Sequence, residues 1–391
     1  MLLLVVVFCA HAGCNKKEAP GAPGDQGPPG TREAVLAAFA DCTSSKVRDF
    51  RDQAARLSEA AQRHESEASA ESAVAARQAW ESTIDAWQEL ELFQFGPAAM
   101  SDQPGGQDLR SEIYAWPQFN RCFVEQLIVN KAYLGPDFGK QLANARGFGA
   151  IEYALFYAGD DNACPPSNPI NNNGTWALLV AEGLPAAKAG YARAAAQDVQ
   201  RHADALAAAW DPNQGGFSNQ LAQAGRGSTI YGTTQAGLNA VSDALFYLDT
   251  EVKDMKLAAP LGLLDCGAST CPERVESPFA GRSKNHVRNN LLGFRRIFSG
   301  CADDGQGLGF DDLLADVGQS ALADRMALAI ADAIAAVDAI DEQSLERASV
   351  SDLERVQRLY AAVKAITDLL KTDFVSVLDL EIPVGAEGDN D

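Results

Sequence analysis

Apolar residues recur at three- and four-residue spacing along most of the chain. Between residues 71 and 93, for example, Trp80, Ile84, Trp87 and Leu90 fall on one face of a helix. The sequence is rich in alanine, has charged residues spread among the apolar ones and contains few runs of β-branched residues. This composition favours helix almost throughout. The pattern predicts an all-α fold whose tryptophans belong to the core of a helical bundle.

Stretches rich in glycine, proline and asparagine divide the helical text, and a glycine-rich break follows Trp210. We expect the chain to consist, in order, of a signal peptide at 1–13, a lipidated Gly/Pro-rich tether at 14–30, a first helical bundle at 31–212, a second helical bundle at 213–384 and an acidic disordered tail at 385–391.

The first twelve residues are apolar but shorter than a bilayer span, which takes about 20 residues. They are typical of the hydrophobic region of a secretion signal. Ala12-Gly13-Cys14 resembles a bacterial lipobox, although His11 stands where leucine is usual. That resemblance implies a lipid anchor on Cys14. The residue after the cysteine is Asn15 rather than aspartate, which resembles lipoproteins sorted to the outer membrane. We therefore expect an exported lipoprotein of the outer membrane that faces the periplasm or the cell surface.

The cysteines after Cys14 are even in number, which favours disulfides in an exported chain. No CxxC pair occurs, so a thiolate zinc site is not expected. Because each half of the chain carries three, complete pairing requires at least one bridge between the halves. Cys266 and Cys271 are spaced to close a small loop. The candidates are Cys42, Cys122, Cys164, Cys266, Cys271 and Cys301.

The formal net charge of −21 narrows the class of partner. An acidic chain repels phosphate backbones and attracts cations, so nucleic acid is not an expected partner. A solvated acidic surface accounts for the same charge without any function. Histidines are few and scattered. His202 and His286 are each a candidate ligand, but for isolated histidines we expect surface or capping roles. Any metal site would be rich in carboxylates and would suit ferric iron or calcium better than zinc.

Residues 147–157 (GFGAIEYALFY) and 237–247 (GLNAVSDALFY) resemble each other, with six identical positions. The likeness predicts a duplication and hence two related bundles, with a site where they meet. The second copy has Asn239 and Ser242 at the positions of Gly149 and Glu152. It would therefore not reproduce any chemistry that Glu152 performs.

The first copy also resembles the G-x-H-x-x-E segment of the imelysin family, known too as the imelysin-like or iron-regulated protein family. Other elements follow in the family's order between about Thr31 and Leu378. They are Trp80 and Trp87, Phe95-Gly96-Pro97, Trp116-Pro117, the KLAAPLG segment at 256–262, the VES segment at 275–277 and the NNLLG segment at 289–293. The resemblance implies two pseudo-symmetric four-helix-like bundles, with the motif near their junction. It also implies an exported protein associated with iron uptake.

This chain departs from the motif at Gly149, where the family has histidine. Residues three apart lie about 60° apart around a helix, so His-x-x-Glu presents an imidazole and a carboxylate on one face. Such a pair suits a metal ion or acid–base chemistry. Here Glu152 is left alone as the candidate catalytic acid or metal ligand. Candidate ligand-binding residues around it are Arg110, Gly149, Tyr153, Lys256, Glu276 and Ser277.

Three functions stay open. The first is a binding protein for a metal, a small ligand or a partner protein in iron acquisition, with a degenerate motif. The second is a metal-dependent peptidase that uses Glu152, as the family's peptidase classification implies. The third is a structural scaffold of the cell envelope, in which the motif only packs the bundles together.

Overall fold

The computed structural model describes residues 31–383 and Ala386. The expected signal peptide, Cys14 and the tether lie outside the described residues, as does the expected tail apart from Ala386. Helices make up most of the described part, which contains no strand, so the all-α fold is confirmed. None of the helices found there is long and apolar enough to cross a membrane.

The first half of the described chain contains two long helices near its start, a series of short ones, and a third long helix at its end. In order these are α1 (Thr31–Glu67), α2 (Ala70–Leu90), α3 (Leu109–Ile113), α4 (Arg121–Val129), α5 (Gly147–Phe156), α6 (Pro169–Asn172), α7 (Thr175–Glu182) and α8 (Leu184–Trp210).

The second half is also helical and includes two π-helical segments, Leu248–Ala258 and Leu370–Phe374. Its α-helices are α9 (Phe217–Ala222), α10 (Thr234–Leu245), α11 (Ser283–Ser299), α12 (Phe310–Asp316), α13 (Ser320–Asp338), α14 (Leu345–Ser351), α15 (Leu353–Leu369) and α16 (Val375–Leu378).

Eight helical elements pack as two groups of four. In the first group, α1 contacts α2 and α8, and α5 packs against α8 and α2. In the second, α13 lies against α11 and α15, and the π-helical segment Leu248–Ala258 contacts both α11 and α15. Contact between α2 and α11 joins the groups. Because α9 and α12 of the second half pack on α1, the proposed boundary between residues 212 and 213 stays a prediction.

Two glycines allow close approaches that position the elements around the motif. Gly147 begins α5 with a φ of +69°, and a Cβ there would lie 2.4 Å from the carbonyl oxygen of Ile113. A Cβ on Gly293 of α11 would lie 2.3 Å from the carbonyl oxygen of Glu89 on α2. Glycine at these positions therefore lets α5 approach α3 and lets α11 approach α2.

All six expected cysteines pair. Cys42–Cys301 connects α1 with the segment after α11 and is the bridge between the two halves that the cysteine count required. Cys266–Cys271 closes the small loop expected from its spacing. The third bridge, Cys122–Cys164, ties α4 to the loop before α6.

Candidate functional site

Seven buried polar residues form one cluster around the motif acid. They come from α2, α5, the π-helical segment Leu248–Ala258, the loop before α11 and α11 itself. We call it the junction cluster. Its members are Gln88, Glu152, Lys256, Glu276, Ser277, His286 and Asn290, and none is more than 3% exposed. The cluster therefore belongs to the interior of the fold.

Glu152, the motif acid, is held by the protein backbone. Its Oε1 accepts hydrogen bonds from the backbone N–H groups of Phe279 and Ala280, both at 2.9 Å. Burial raises the pKa of Glu152 to about 8, although these two amides and the Ser277 hydroxyl favour the charged form. The carboxyl group is therefore mostly protonated at neutral pH.

Ser277 and His286 form a buried pair beside Glu152. His286 Nε2 lies 2.8 Å from Ser277 Oγ, and Nδ1 has no hydrogen-bond partner in the described part of the chain. Burial lowers the pKa of His286 to about 4, so the imidazole is neutral. The surface or capping role expected for His286 is wrong, because its side chain is fully buried in α11.

Lys256 is the centre of a closed hydrogen-bond network. Its Nζ contacts Gln88 Oε1 at 2.7 Å, Asn290 Oδ1 at 2.8 Å and Glu276 Oε2 at 2.9 Å. Gln88 Nε2 in turn donates to Glu276 Oε1 at 2.8 Å. Burial opposes the charge of Glu276, but the attraction and the hydrogen bond to Lys256 outweigh it and lower the pKa of Glu276. The network links α2, the π-helical segment and α11 through groups that satisfy one another.

The other two candidate side chains have partners outside the junction cluster. Arg110 pairs with Glu91, its Nε lying 3.2 Å from Oε2. Tyr153 follows Glu152 in the chain, but its hydroxyl donates to Glu125 Oε1 at 2.8 Å. The structure thus brings Glu152, Lys256, Glu276 and Ser277 together and places Arg110 and the Tyr153 hydroxyl elsewhere.

Gly149, which replaces the family's histidine, lies under an aromatic ring. A Cβ at this position would come 3.1 Å from Cδ2 of Phe119. The Phe119 ring also packs against Tyr153 and Phe279, with centroids 6.5 Å and 6.3 Å away. A histidine here would require Phe119 to move, so the space next to the missing imidazole is filled.

The residues around the motif do not fit a resident metal ion. Gly149 supplies no ligand, Glu152 Oε1 is engaged by two amides, and His286 Nε2 is engaged by Ser277. Nowhere in residues 31–383 do three or more His, Cys, Asp or Glu side chains form a group that could hold a metal ion. The described residues therefore contain no set of ligands for the carboxylate-rich metal site considered from the sequence.

Three cluster members, Gln88, His286 and Asn290, were not predicted as site residues. Each had a signal in its spacing. Gln88 follows Ile84 by four residues and so lies on the apolar face of α2. His286 and Asn290 lie four residues apart on the same face of α11 as Ile297. A polar residue on a buried helical face requires a partner, which is the feature that would have identified all three.

An open cleft of about 310 Å³ lies between the segment after α2 and the end of α10. We call it the acidic cleft. Its polar and aromatic lining includes Gln94, Phe95, Tyr231, Asp243, Tyr247 and Glu251. It is separate from the carboxyl group of Glu152, and it includes residues of the second motif copy.

Comparison with known proteins adds a family and a fold. The imelysin family model, which carries a peptidase label, matches residues 44–372. Iron-regulated protein A of Synechococcus elongatus (strain ATCC 33912 / PCC 7942 / FACHB-805) is 25% identical over 258 residues, which is 66% of this chain and 61% of that relative. The match thus spans about three fifths of the curated relative's length.

Two crystal structures share the fold. An imelysin-like protein from Psychrobacter arcticum 273-4 has a TM-score of 0.68 at 20% identity, covering 90% of this chain and 97% of its own. A proposed iron-regulated protein A precursor from Parabacteroides distasonis ATCC 8503 has a TM-score of 0.68 at 17% identity, with coverages of 91% and 98%.

Proposed function

Because the chain belongs to the imelysin family, we propose that it is an exported binding protein of iron acquisition that does not cleave peptides. Its ligand is a metal, a small molecule or a partner protein. Anchoring in the outer membrane through Cys14 is part of the same proposal and rests on the lipobox-like sequence. The link to iron rests on two similar proteins whose names contain iron-regulated protein A.

The observation that carries this proposal is the state of Glu152. A general base or a metal ligand needs free lone pairs within reach of its substrate. Glu152 is 3% exposed, and Oε1 already accepts two backbone hydrogen bonds. With no imidazole at Gly149 to assist it, this acid supports a structural role for the motif over a catalytic one.

The acidic cleft supports binding as the activity. Its volume of about 310 Å³ falls at the lower end of the range for small-molecule sites, roughly 300–1,000 Å³. Residues from both halves of the chain line it, as Gln94 and Glu251 illustrate. Ligand recognition at this position would leave the junction cluster intact. The closed junction cluster by itself also favours the scaffold alternative, which predicts no ligand at all.

Peptide cleavage and metal content of the purified mature chain test the proposal. We expect no metal-dependent cleavage of a fluorescent casein substrate by the unaltered protein, by Glu152→Gln or by a control, Glu71→Gln, at an exposed position of α2. Iron- or zinc-dependent cleavage that is lost in Glu152→Gln and kept in Glu71→Gln would establish the peptidase instead.

A further inference from the structure

We propose that the acidic cleft binds an organic cation, with an ammonium or guanidinium group next to the carboxylates of Asp243 and Glu251. This inference rests on the proposed function, because it assigns the ligand class of a binding site. It differs from a metal site, since no group of three metal-ligating acidic, His or Cys side chains occurs in the described part of the chain.

The two carboxylates lack cationic partners. Neither Asp243 nor Glu251 forms an ion pair with another described residue, and Asp243 Oδ1 is buried without a hydrogen bond. Burial, with a smaller contribution from Glu381, raises the pKa of Asp243 to about 6, and burial also raises the pKa of Glu251. Asp243 is therefore mostly ionised at neutral pH. A bound cation would favour the charged form of both groups.

The cations nearest to this cleft are already neutralised. Arg110 pairs with Glu91, and Lys256 pairs with Glu276. Both are close enough to Glu251 to oppose the rise of its pKa, but burial prevails. Once these two pairs are set aside, the carboxylates of the cleft give it a negative charge. An anionic ligand would be repelled, and a cation attracted.

Two tyrosine hydroxyls provide an independent sign of a ligand. Tyr231 is 1% exposed and Tyr247 is 5% exposed, both line the cleft, and neither hydroxyl has a hydrogen-bond partner in residues 31–383. Buried hydroxyls normally find a partner. The lining also includes the aromatic rings of Phe95 and Phe246, and aromatic faces attract ammonium and guanidinium groups.

The same chemistry has two sources, a free organic amine or the Lys or Arg side chain of a peptide. Benzylamine serves as the probe for the first, and the tripeptide Gly-Lys-Gly for the second. Benzyl alcohol has the same shape as benzylamine without the charge and is the matched control ligand. Each is titrated into the mature chain at pH 7.5 while amide chemical shifts are followed by NMR.

We expect benzylamine to shift amides of residues 94–104 and 240–251 and to bind at least tenfold more tightly than benzyl alcohol. Asp243→Asn and Glu251→Gln should each weaken benzylamine at least tenfold. Asp311→Asn is the control variant, because Asp311 is another partly buried carboxyl group, on α12 and away from the cleft. It should change the affinity less than twofold. Tighter binding of the tripeptide assigns a peptide side chain as the source, and tighter binding of benzylamine a free amine.

Equal affinity for benzylamine and benzyl alcohol, or an absence of shifts from both amines, would overturn the cation proposal. Saturation of the same amides by ferric iron or calcium, with loss of benzylamine binding, would overturn it in favour of a metal. Neither result bears on peptide cleavage, which alone decides between a binding protein and a peptidase. The variant Tyr231→Phe separates an effect on binding from an effect on folding. Removing this unpartnered hydroxyl should leave the Tm within 2 °C and weaken the binding of benzylamine.

Discussion

The two similar segments, 147–157 and 237–247, differ in whether their polar side chains have hydrogen-bond partners. In α5 the polar side chains are satisfied: Glu152 accepts two amides, and Tyr153 donates to Glu125. In the second copy, Asp243 stands at the position of Tyr153 and borders an open cleft, and its Oδ1 has no hydrogen-bond partner among the described residues. The polar side chains of α5 named here thus have partners, whereas Asp243 in 237–247 keeps an oxygen without a partner in the described part of the chain.

The last tyrosines of the two copies repeat this difference. The Tyr157 hydroxyl donates to Asp161, whereas the Tyr247 hydroxyl has no partner in the described part of the chain. Unsatisfied buried groups are costly, so their persistence at the second copy calls for an explanation that a ligand supplies. The proposed ligand site therefore rests on the unpartnered groups that line the acidic cleft and not on the motif.

The largest expected effect comes from breaking the Lys256 network, which lies beside the first copy in the junction cluster. Lys256→Met leaves Glu276 charged, buried and unpaired, which should cost about 3–5 kcal/mol in the free energy of unfolding. Urea denaturation measures this. The double variant Lys256→Met/Glu276→Leu removes both charges and should recover most of the loss. A double variant no more stable than the single one would show that the pair does not act as a unit.

Gly147 and Gly237 occupy equivalent positions in the two copies, and the same substitution should separate them. Gly147→Ala places a Cβ 2.4 Å from the Ile113 carbonyl oxygen in a left-handed conformation and should cost about 2–4 kcal/mol. Gly237→Ala meets side chains, Ala224 at 2.9 Å and Leu36 at 3.3 Å, and should cost about 1 kcal/mol. Equal losses in urea denaturation would mean that the backbone around Gly147 adapts.

The pKa of Glu152 predicts a pH dependence of stability. The folded pKa of about 8 lies above the ordinary 4.5, so between these values the folded state binds more protons than the unfolded state. The contribution of Glu152 therefore lowers stability as pH rises through this window, by up to about 1.4 kcal/mol per pH unit. Glu152→Gln should show a flatter profile between pH 5 and 8. Parallel profiles would mean that Glu152 is ionised in the folded protein.

A small effect is expected at Gly149, the position of the family's histidine. Gly149→Ala gains up to about 1 kcal/mol of helix propensity, and the contact of its Cβ with Phe119 at 3.1 Å offsets part of it. The net change should stay within about 0.5 kcal/mol by thermal denaturation. A loss above 2 kcal/mol would show that Phe119 cannot move and that the helix requires glycine here.

Much of the fold could be predicted from the sequence because helical periodicity is a local signal. The cysteine count similarly required the bridge between the halves. The candidate site was predicted only in part. Its members Lys256, Glu276 and Ser277 came from the family resemblance. The partners of Glu152 are backbone amides at Phe279 and Ala280, more than a hundred residues away in the chain. No side-chain pattern marks such donors, and only tertiary packing brings them to the carboxyl group.

The acidic cleft also could not be predicted from the sequence, because it depends on tertiary packing. Tyr231, Asp243 and Tyr247 are ordinary residues for a helical protein. They stand out only because a polar atom of each has no hydrogen-bond partner within residues 31–383. A missing contact can be recognised only after all contacts are known. The internal likeness of 147–157 and 237–247 drew attention to the second copy, and the duplication that it suggests stays a prediction.

The most direct test of the account compares benzylamine affinity in three proteins: the unaltered chain, Asp243→Asn and Glu152→Gln. If ligand recognition belongs to the second copy, Asp243→Asn weakens binding at least tenfold and Glu152→Gln changes it less than twofold. The opposite order, with binding lost in Glu152→Gln and kept in Asp243→Asn, would contradict the account and return the site to the motif.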